Sequence, residues 1–319
     1  MTFGACCPEL EYPVKATRIH AHGGPEALLY EDADKPAPGP GEVLIRVAVA
    51  GVNPADHKHR DGMFKDFIPY VFPKTLGYDV AGTVEAVGDG VTTPAPGTRV
   101  FAMLDPMVGG GYAEYVTTAA SGCGAIPDGM DFATAAGMPC PALTGTQMIE
   151  EQLKPGPGQI ILVTGATGMV GRFAVLAAKA AGARVVAAVR PAYAQEARAL
   201  GADEVVALDG SAWTGAPFDG VIDTVGGAAS TALAASTRAG ARILTAATDP
   251  LDASKLPSAP EFVAVHPDGA RLERLGADVV AGTIAVPITA RFPLADAARA
   301  QAMIEAGGVR GKVVLLVDA

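Results

Sequence analysis

The chain has little of what marks a nucleic-acid-binding or membrane-spanning protein. Its 24 lysines and arginines stand against 34 acidic residues, which gives a formal net charge of −10, and no basic run occurs. This balance argues against a nucleic-acid partner, because surfaces that bind nucleic acid are usually basic. The most apolar stretch, 173–189, is too short to cross a bilayer and is interrupted by Lys179 and Arg184. We therefore expect neither a nucleic-acid nor a membrane partner.

Cysteine is also scarce. The spacing of Cys6, Cys7, Cys123 and Cys140 fits neither a disulfide framework nor a Cys-x-x-Cys zinc motif. The N-terminus lacks the basic and apolar segments of a secretory signal, and residues 1–14 are expected to form a loose leader. We interpret the chain as a cytoplasmic protein with free thiols.

The length and the apolar content of the chain suit two domains with large cores. Of 319 residues, 50% are hydrophobic and 18% are charged, so extensive disorder is not expected. From residue 15 to about 127, short apolar runs alternate with Gly/Pro turns, which predicts a barrel-like or strongly curved β domain. From about 131, predicted strands alternate with helices, which is typical of a parallel, doubly wound sheet. Strands are predicted at 42–49, 82–88, 99–102, 160–164, 184–189, 204–207, 220–224, 242–246 and 312–317, and helices at 132–152, 172–182, 192–200, 230–237 and 295–306.

A glycine-rich turn follows the first strand of this alternating region. The spacing Gly165-x-x-Gly168-x-x-Gly171 allows a tight turn and a close approach of the backbone to a pyrophosphate. The helix after the turn would present its free N–H groups and positive dipole end to that phosphate. We therefore predict a dinucleotide site whose contacts include Gly165, Ala166, Thr167, Gly168, Met169 and Val170.

The end of the next strand indicates which dinucleotide binds. An acidic residue about 20 positions after the glycines would bind the 2′-hydroxyl of NAD. The strand here ends at Arg190, whose planar and permanently charged guanidinium suits a 2′-phosphate. No lysine occurs in 191–195, so Arg190 would carry the preference, with Tyr193 stacking on the adenine. We predict NADPH rather than NADH as the cofactor.

Several motifs resemble those of the medium-chain dehydrogenase/reductase superfamily, in particular its zinc-independent quinone and enone oxidoreductases. The resemblance extends over nearly the whole chain, from about residue 15 to 317. Each motif is short, but their occurrence in the family's order is specific. They are GPGEVLI at 39–45, GVNPAD at 51–56, GYDVAG at 77–82, GYAEY at 111–115, DTVGG at 223–227 and GKVVL at 311–315.

The resemblance implies an α/β architecture, in which a Rossmann doubly wound parallel sheet is inserted into a β-rich GroES-like catalytic domain. The catalytic domain would comprise 1–130 and 283–319, and the Rossmann domain 131–282. The active site would lie in the cleft between the domains, and the protein would form a homodimer. The family's pattern adds three residues to the cofactor site, namely Thr144 in the nicotinamide region, Val225 and Gly226.

Zinc-dependent members of the family hold a catalytic zinc with a cysteine, a histidine and a second cysteine. This chain has Asn53 and Tyr78 at the first two positions and keeps a thiol, Cys140, only at the third. One soft ligand cannot hold a catalytic zinc, which needs about three protein ligands. His57 and His59 could imitate a metal site but lack an obvious third ligand, so we expect no metal.

Losing the zinc changes the chemistry that the resemblance implies. Alcohol oxidation needs a Lewis acid, whereas a quinone or a C=C bond conjugated to a carbonyl needs only modest polarisation of its oxygen. Lys58 is predicted to donate the proton or to act as an electrostatic clamp on the substrate oxygen or the cofactor ribose. Asn53 would be an oriented hydrogen-bond donor, and Tyr78 would face the cleft and donate to the substrate oxygen or pack against its ring.

Each of these residues also has an ordinary structural interpretation. Lys58 could be a solvated lysine, Asn53 a loop cap and Tyr78 a core tyrosine with a satisfied hydroxyl. Asp56 could orient Lys58 or simply cap a helix. Weaker candidates for an apolar acceptor pocket are Phe64, Tyr70 and Met107.

These observations predict an NADPH-dependent reductase of quinones or α,β-unsaturated carbonyls that works without zinc. An enoyl-thioester reductase is an alternative, because it would use the same fold, but no basic patch for a carrier phosphate is evident. A low-turnover NADPH-binding sensor is a second alternative, from a different functional class. The loops that would build the substrate pocket are 60–74 and 250–266.

Overall fold

The structure, a computed structural model, describes residues 13–317. Cys6, Cys7 and most of the predicted leader lie outside the described residues. Cys123 and Cys140 are free thiols. None of the helices within 13–317 is both long enough and apolar enough to span a membrane.

The first part of the described chain is rich in strands, as its apolar runs and Gly/Pro turns predict. Short 3₁₀ turns occur at Pro25–Ala27 and Ala120–Gly122. The other elements in chain order are β1 (Val14–Ile19), β2 (Leu29–Ala33), β3 (Glu42–Val52), α1 (Pro54–Arg60), β4 (Lys74–Thr75), β5 (Asp79–Val87), β6 (Arg99–Met103), β7 (Tyr115–Ala119) and β8 (Cys123–Ala125).

The middle of the chain alternates between helices and strands. Its elements are α2 (Phe132–Ala136), α3 (Pro139–Gln147), a π-helical segment (Met148–Leu153), β9 (Ile160–Thr164), α4 (Met169–Ala180), β10 (Arg184–Val189), α5 (Ala194–Ala199), β11 (Glu204–Ala207), β12 (Gly220–Asp223), α6 (Gly227–Ala234), β13 (Ile243–Thr245), β14 (Pro260–Phe262) and α7 (Gly269–Val280). The last elements are β15 (Ile288–Pro293), α8 (Ala297–Glu305) and β16 (Lys312–Leu316).

Six strands form a parallel sheet in the order β11-β10-β9-β12-β13-β14. Its central strands are apolar on both faces. Ile161 and Val163 of β9 pack in one core cluster, while Leu162 between them packs in another. Burial of both faces is the physical reason why these strands are continuous apolar runs in the sequence. The predicted doubly wound α/β sheet is confirmed, and we call this part the parallel-sheet lobe.

The remaining strands form the β-rich lobe. A seven-stranded sheet has the order β15-β16-β3-β5-β6-β8, with β7 paired to β3, and β2-β1-β4 forms a smaller sheet. Register shifts along β3 interrupt its pairing with β5, as bulges do in strongly curved sheets. The C-terminal strands β15 and β16 therefore return to the sheet that the N-terminal half begins. The domain boundary at residue 283 stays a prediction.

The single helix predicted at 132–152 is wrong, because the chain there forms three segments. Gly137 terminates α2, and its backbone N–H donates to the carbonyls of Ala133 and Thr134. Pro139 then occupies the first turn of α3, a position where its missing N–H costs nothing. The nucleotide helix α4 also begins at Met169, three residues earlier than predicted.

One hydrophobic cluster joins the two lobes. It contains Phe101 of β6 and Ala81 of β5 from the β-rich lobe together with Phe173 of α4 from the parallel-sheet lobe. Helix α3 contributes Leu143 to the same cluster. The lobes thus share buried apolar surface close to the predicted site residues Tyr78 and Thr144.

We expect Gly51→Ala to destabilise the protein by about 2 kcal/mol or more, because overpacking a dense core typically costs that amount. A Cβ at Gly51 would lie 2.2 Å from the Ala136 carbonyl oxygen and 2.9 Å from Asp79 Cβ, and a backbone atom cannot rotate away. The measurement is urea unfolding. In the control Gly156→Ala, the nearest atom is a flexible side-chain oxygen 3.7 Å away, so its stability should match the wild type. Equal stability of all three proteins would contradict the prediction.

Candidate active site

The first of the predicted catalytic residues lies directly before helix α1. Asn53 is its N-cap, and Pro54 occupies the first turn. The backbone N–H of Asn53 donates to Asp56 Oδ2 at 2.7 Å, so Asp56 caps the helix. Of the two roles open to Asp56, the structure shows this one, and the described residues contain no hydrogen bond between Asp56 and Lys58.

A buried carboxylate, Asp79, lies at the centre of the site. Asn53 Nδ2 donates to Asp79 Oδ2 at 2.9 Å, and the backbone N–H of Cys140 donates to Asp79 Oδ1 at 2.7 Å. The Lys312 ammonium donates to Asn53 Oδ1 at 2.6 Å and to Asp79 Oδ2 at 3.3 Å. Burial raises the pKa of Asp79, and the Lys312 charge with these hydrogen bonds opposes the rise. The amide of Asn53 therefore has one N–H left for any other partner.

A second buried carboxyl group lies beside the first. The Tyr112 hydroxyl donates to Asp56 Oδ2 at 2.7 Å, while Asp56 Oδ1 has no hydrogen-bond partner in the described part of the chain. Burial raises the pKa of Asp56 to about 7, and the neighbouring Asp79 charge adds to the rise. Asp56 therefore titrates near neutral pH, unlike an ordinary aspartate.

Lys58 connects the two lobes. Its ammonium donates to Thr248 Oγ1, in the segment that follows β13 of the parallel-sheet lobe. Burial lowers the pKa of Lys58 from its ordinary value. A lysine with a lowered pKa releases its proton more readily, which is a property that proton donation requires.

Tyr78 is 5% exposed and follows Gly77, whose φ of 91° lies in the left-handed region. Its ring lies at a steep angle to the ring of His59, with centroids 5.1 Å apart. Burial raises the pKa of the Tyr78 phenol far above its ordinary value, so the hydroxyl keeps its proton. Tyr78 thus presents a neutral ring and a neutral donor next to Asp79.

His59 is the centre of an aromatic cluster. The Tyr70 hydroxyl lies 2.6 Å from His59 Nδ1, and Phe64 lies with its ring centroid 4.7 Å from that of His59. Burial lowers the pKa of His59 to about 4, so at neutral pH the ring is uncharged and shares a hydrogen bond with the Tyr70 hydroxyl. Two of the three pocket candidates, Phe64 and Tyr70, therefore contact the same histidine. Met107 is 45% exposed in a neighbouring loop that Lys74 holds through backbone carbonyls.

The three positions at which zinc-dependent members hold their metal are occupied here by Asn53, Tyr78 and Cys140. Asn53 is bound to Asp79 and Lys312, and burial raises the pKa of the Cys140 thiol to about 12. A zinc ligand set needs deprotonated or neutral lone-pair donors, whereas here an ammonium lies against Asn53.

The two histidines singled out from the sequence are separated. His59 is bound to Tyr70, while His57 lies near Asp61 and Glu305, close enough that one ligand atom from each could surround an ion. The guanidinium of Arg60 already donates to both carboxylates, at 2.6 and 3.1 Å. A metal there would have to compete with that charge.

The glycine-rich turn is the predicted phosphate cradle. Gly165 has a φ of 62°, and a Cβ there would lie 2.5 Å from Thr224 Oγ1. A Cβ at Gly171 would lie 2.2 Å from the Gly165 carbonyl oxygen, so the third glycine is needed for close packing. Gly168 is the N-cap of α4, and no side chain caps the helix. The N–H groups of the first turn, from Met169 and Val170, are therefore free to bind an anion. Ala166 is buried under the turn, and Thr167 is partly exposed.

Asp223 organises the carboxyl ends of three parallel strands. The hydroxyls of Thr164 and Thr245 donate to its two carboxylate oxygens at 2.6 and 2.8 Å. The backbone N–H groups of Val225 and Gly226 donate to Asp223 Oδ1 at 3.3 and 3.0 Å. These hydrogen bonds hold Val225, which is 41% exposed, at the carboxyl ends of the strands, where ligands bind in such folds.

Thr144 lies beside the nucleotide helix. Its hydroxyl donates to the Cys140 carbonyl at 2.7 Å, and the residue is 6% exposed. A Cβ at the following Gly145 would lie 2.4 Å from the Val170 carbonyl oxygen, so α3 and α4 approach closely there. The predicted cofactor residues on α3 and α4 are thus neighbours.

Arg190 and Tyr193 lie together at the end of β10. The Arg190 guanidinium lies 4.8 Å from the centroid of the Tyr193 ring, and Arg190 is exposed. A second guanidinium, that of Arg310, lies 4.2 Å from the same centroid.

Sequence reasoning assigned no role to five residues that the structure brings into the site. Two of them, an aspartate and a lysine, lie in the GYDVAG and GKVVL motifs. A charged residue next to an apolar run such as VVLL is a signal in the sequence that could have identified the lysine. The residues are Asp79, Asp223, Thr248, Arg310 and Lys312.

Two family models match the chain. The alcohol dehydrogenase GroES-like domain matches residues 39–128, and the zinc-binding dehydrogenase family matches residues 200–315. A chloroplastic quinone oxidoreductase of Triphysaria versicolor is 35% identical over 199 residues, which is 60% of this chain. The match also spans only 60% of that relative's length.

Solved structures match over almost their whole length. The quinone oxidoreductase from Coxiella burnetii has a TM-score of 0.81 at 27% identity, with 96% of this chain and 100% of that chain covered. A mycobacterial protein solved in complex with NADPH has a TM-score of 0.80 at 29% identity, covering 95% and 100%. A thermostable alcohol dehydrogenase from Pyrobaculum aerophilum, solved with cobalt and zinc, has a TM-score of 0.79 at 31% identity, covering 96% and 100%.

We expect the unfolding free energy to fall as the pH rises through the range in which Asp56 ionises. The native pKa of Asp56 is about 7 against an ordinary 3.8, so between these values only the native state holds the proton. The loss between pH 5 and pH 7 is roughly 2 kcal/mol. Asp56→Asn cannot ionise and should show a flatter profile in urea unfolding at pH 5 to 8. Asp66→Asn, in an exposed loop, is the control, and parallel profiles for Asp56→Asn and wild type would contradict the assignment.

Proposed function

The chain belongs to the medium-chain dehydrogenase/reductase superfamily, and we propose that within it the chain is an NADPH-dependent reductase that works without zinc. Its acceptor would be a quinone or an α,β-unsaturated carbonyl compound. The residues proposed to hold the cofactor are Thr144, Gly165, Ala166, Thr167, Gly168, Met169, Val170, Arg190, Tyr193, Val225 and Gly226. The free N–H groups of α4 and the left-handed Gly165 support this assignment.

The observation that carries the proposal is the contact between Lys312, Asn53 and Asp79. A catalytic zinc would need a free electron-pair donor at the position of Asn53, but Lys312 Nζ lies 2.6 Å from Asn53 Oδ1 and brings positive charge of its own. Alcohol oxidation depends on a Lewis acid that stabilises an alkoxide. A site without one suits an acceptor that is already electron-poor.

NADPH, when bound, supplies a hydride from its nicotinamide ring. The acceptor oxygen then needs polarisation and a proton. Lys58, a partly buried ammonium with a lowered pKa, is proposed to serve that oxygen or to clamp the cofactor ribose. Asn53, with one N–H left over, and Tyr78, with a phenol that keeps its proton, are the two further donors that we propose.

The aromatic cluster around His59 supports an uncharged, planar acceptor. Phe64, Tyr70 and Tyr78 all lie against this histidine, and its lowered pKa keeps the surface neutral. Aromatic rings stack favourably on other flat π systems. A quinone fits this surface better than the long acyl chain of an enoyl thioester, which stays the alternative. A low-turnover NADPH sensor would need the same cofactor cradle but no donor at the acceptor.

Two further parts of the proposal concern assembly and location. We propose a homodimer that forms through the edge of the parallel sheet, where β14 is the last strand and Phe262 is 60% exposed. We also propose that the protein acts in the cytoplasm on small-molecule substrates, without a nucleic-acid partner.

Steady-state oxidation of NADPH and NADH with panels of quinones, enones, enals and enoyl thioesters tests the proposal directly. We expect turnover with quinones or enones, a higher kcat/KM for NADPH than for NADH, and no loss of rate after dialysis against a chelator. A rate that the chelator abolishes and zinc restores would overturn the zinc-independent assignment. Turnover restricted to thioesters would favour the alternative enzyme, and NADPH binding without turnover would favour the sensor.

Lys58→Ala should lower kcat/KM by about 10²-fold or more, because general acid catalysis typically contributes that much. Lys58→Arg keeps the positive charge but not the lowered pKa. Compared with Lys58→Ala, it should therefore restore substrate binding more than it restores kcat. The matched control is Lys35→Ala, which removes an exposed lysine paired with Glu85. The measurement is the pH profile of kcat/KM, and full activity of Lys58→Ala would remove this residue from the mechanism.

A further inference from the structure

Two guanidinium groups pair with the carboxylate of Glu196 in α5, and a third, at the end of β10, shares a tyrosine ring with one of them. Glu196 Oε1 accepts from Arg172 Nη2 at 2.9 Å, and Glu196 Oε2 accepts from Arg310 Nη2. Arg190 lies over the same tyrosine ring as Arg310, and it forms no ion pair with any residue of 13–317. The cluster therefore has a local charge of about +2 in a chain whose net charge is −10. Such a local excess of positive charge indicates an anion site.

Arg172 has a structural task in this cluster. It is 6% exposed, and it donates to the carbonyl oxygens of Ala285 and Thr167 at 2.8 and 2.9 Å. Burial lowers the pKa of Arg172, and the nearby Arg310 charge lowers it further. The two guanidiniums left for a ligand are those of Arg190, which is exposed, and Arg310, whose side chain is 56% exposed.

The two available arginines come from different lobes. Arg190 directly follows β10 of the parallel-sheet lobe, whereas Arg310 lies between α8 and β16 of the β-rich lobe. The end of the second strand of a dinucleotide-binding unit is the place where the adenosine ribose is recognised. Arg310 is thus brought from more than a hundred residues away to the point where the 2′-substituent of that ribose distinguishes NADPH from NADH.

We propose that Arg310 is a second ligand of the cofactor 2′-phosphate and acts together with Arg190. The inference rests on the proposed use of NADPH and extends it to a residue of the opposite lobe. Guanidinium groups bind phosphate oxygens through paired, charge-assisted hydrogen bonds, and a dianionic phosphate would balance the excess charge of the cluster. Glu196 and the Tyr193 ring hold Arg310 in place before the phosphate arrives.

A purely structural role is the competing interpretation of Arg310. Its pairing with Glu196 could simply link the lobes, although exposed ion pairs contribute little to stability. The two roles differ in what they predict for ligands. A phosphate ligand makes Arg310 matter only when the 2′-phosphate is present, whereas a structural link affects every adenosine ligand alike.

Calorimetric titration with 2′,5′-ADP and with 5′-AMP separates the two roles, because only the first probe carries the 2′-phosphate. Wild type should prefer 2′,5′-ADP. We expect Arg310→Ala to lower the affinity for 2′,5′-ADP at least tenfold and to keep the affinity for 5′-AMP within about twofold of the wild type. The same variant should show a weaker salt dependence of 2′,5′-ADP binding. Arg310→Lys should bind 2′,5′-ADP with an intermediate affinity, because lysine keeps the charge but cannot form the paired hydrogen bonds of a guanidinium. Arg190→Ala should show the same selective loss.

The matched control is Arg299→Ala. This exposed arginine also lies over an aromatic ring, that of Phe292 at 5.6 Å, but it pairs with Asp296 instead of Glu196. It should bind both probes like wild type. Equal weakening of both probes by Arg310→Ala, or none, would overturn the inference. If the wild type binds both probes equally, both the NADPH assignment and the role of Arg310 are overturned. If Arg310→Ala loses only 2′,5′-ADP binding but the protein reduces no acceptor, the role of Arg310 stands and only the proposed reductase activity is overturned.

Discussion

The rest of the site depends on how the protein compensates the buried carboxylate of Asp79. An uncompensated charge in a dry interior costs several kcal/mol, so its oxygens must be satisfied. They are satisfied by Lys312, Asn53 and the backbone of Cys140, which belong to β16, the start of α1 and α3. One side chain on β5 therefore fixes three elements at once. Because α1 carries Lys58 and α3 carries Thr144, the same network sets the positions of proposed substrate and cofactor residues.

The network also bears on the proposed chemistry. The positive charge next to Asp79 is the Lys312 ammonium of β16, which also donates to the amide oxygen of Asn53. An ammonium neutralises Asp79 but cannot bind an alkoxide in place of water as a metal can. The neighbouring Asp56 and His59 are both pushed by burial towards their uncharged forms at neutral pH. These two side chains therefore add little charge near the proposed acceptor site, which suits flat, uncharged molecules.

Local patterns predicted the parts of the structure whose physics is local. The strands Ile160–Thr164, Arg184–Val189 and Glu204–Ala207 have the predicted bounds. The first two are mostly buried, and strands buried on both faces are continuous apolar runs. The third is a partly exposed edge strand with a short apolar run of its own. The break between α2 and α3 was missed, since alanine-rich periodicity continues through Gly137 and Pro139 and hides the helix end. Asp79 and Lys312 lie 233 residues apart, and no local pattern could have paired them. Site candidates that share one motif could therefore be named from the sequence, whereas the distant residues that contact them could not.

Two polar contacts between the lobes lie near opposite ends of the proposed cofactor site. Lys58 meets Thr248 on the side of the catalytic residues, and Arg310 meets Glu196 at the end of β10. Each contact is made by a cation of the β-rich lobe with a neutral or acidic partner of the parallel-sheet lobe. A dinucleotide lying along the parallel sheet would replace or join both contacts with its own ribose and phosphate groups. Cofactor affinity and the relative position of the lobes would then be linked, because each ligand contact made by Lys58 or Arg310 is also a contact between lobes. The coupling would arise because both cations belong to the β-rich lobe, whereas the predicted phosphate cradle belongs to the parallel-sheet lobe.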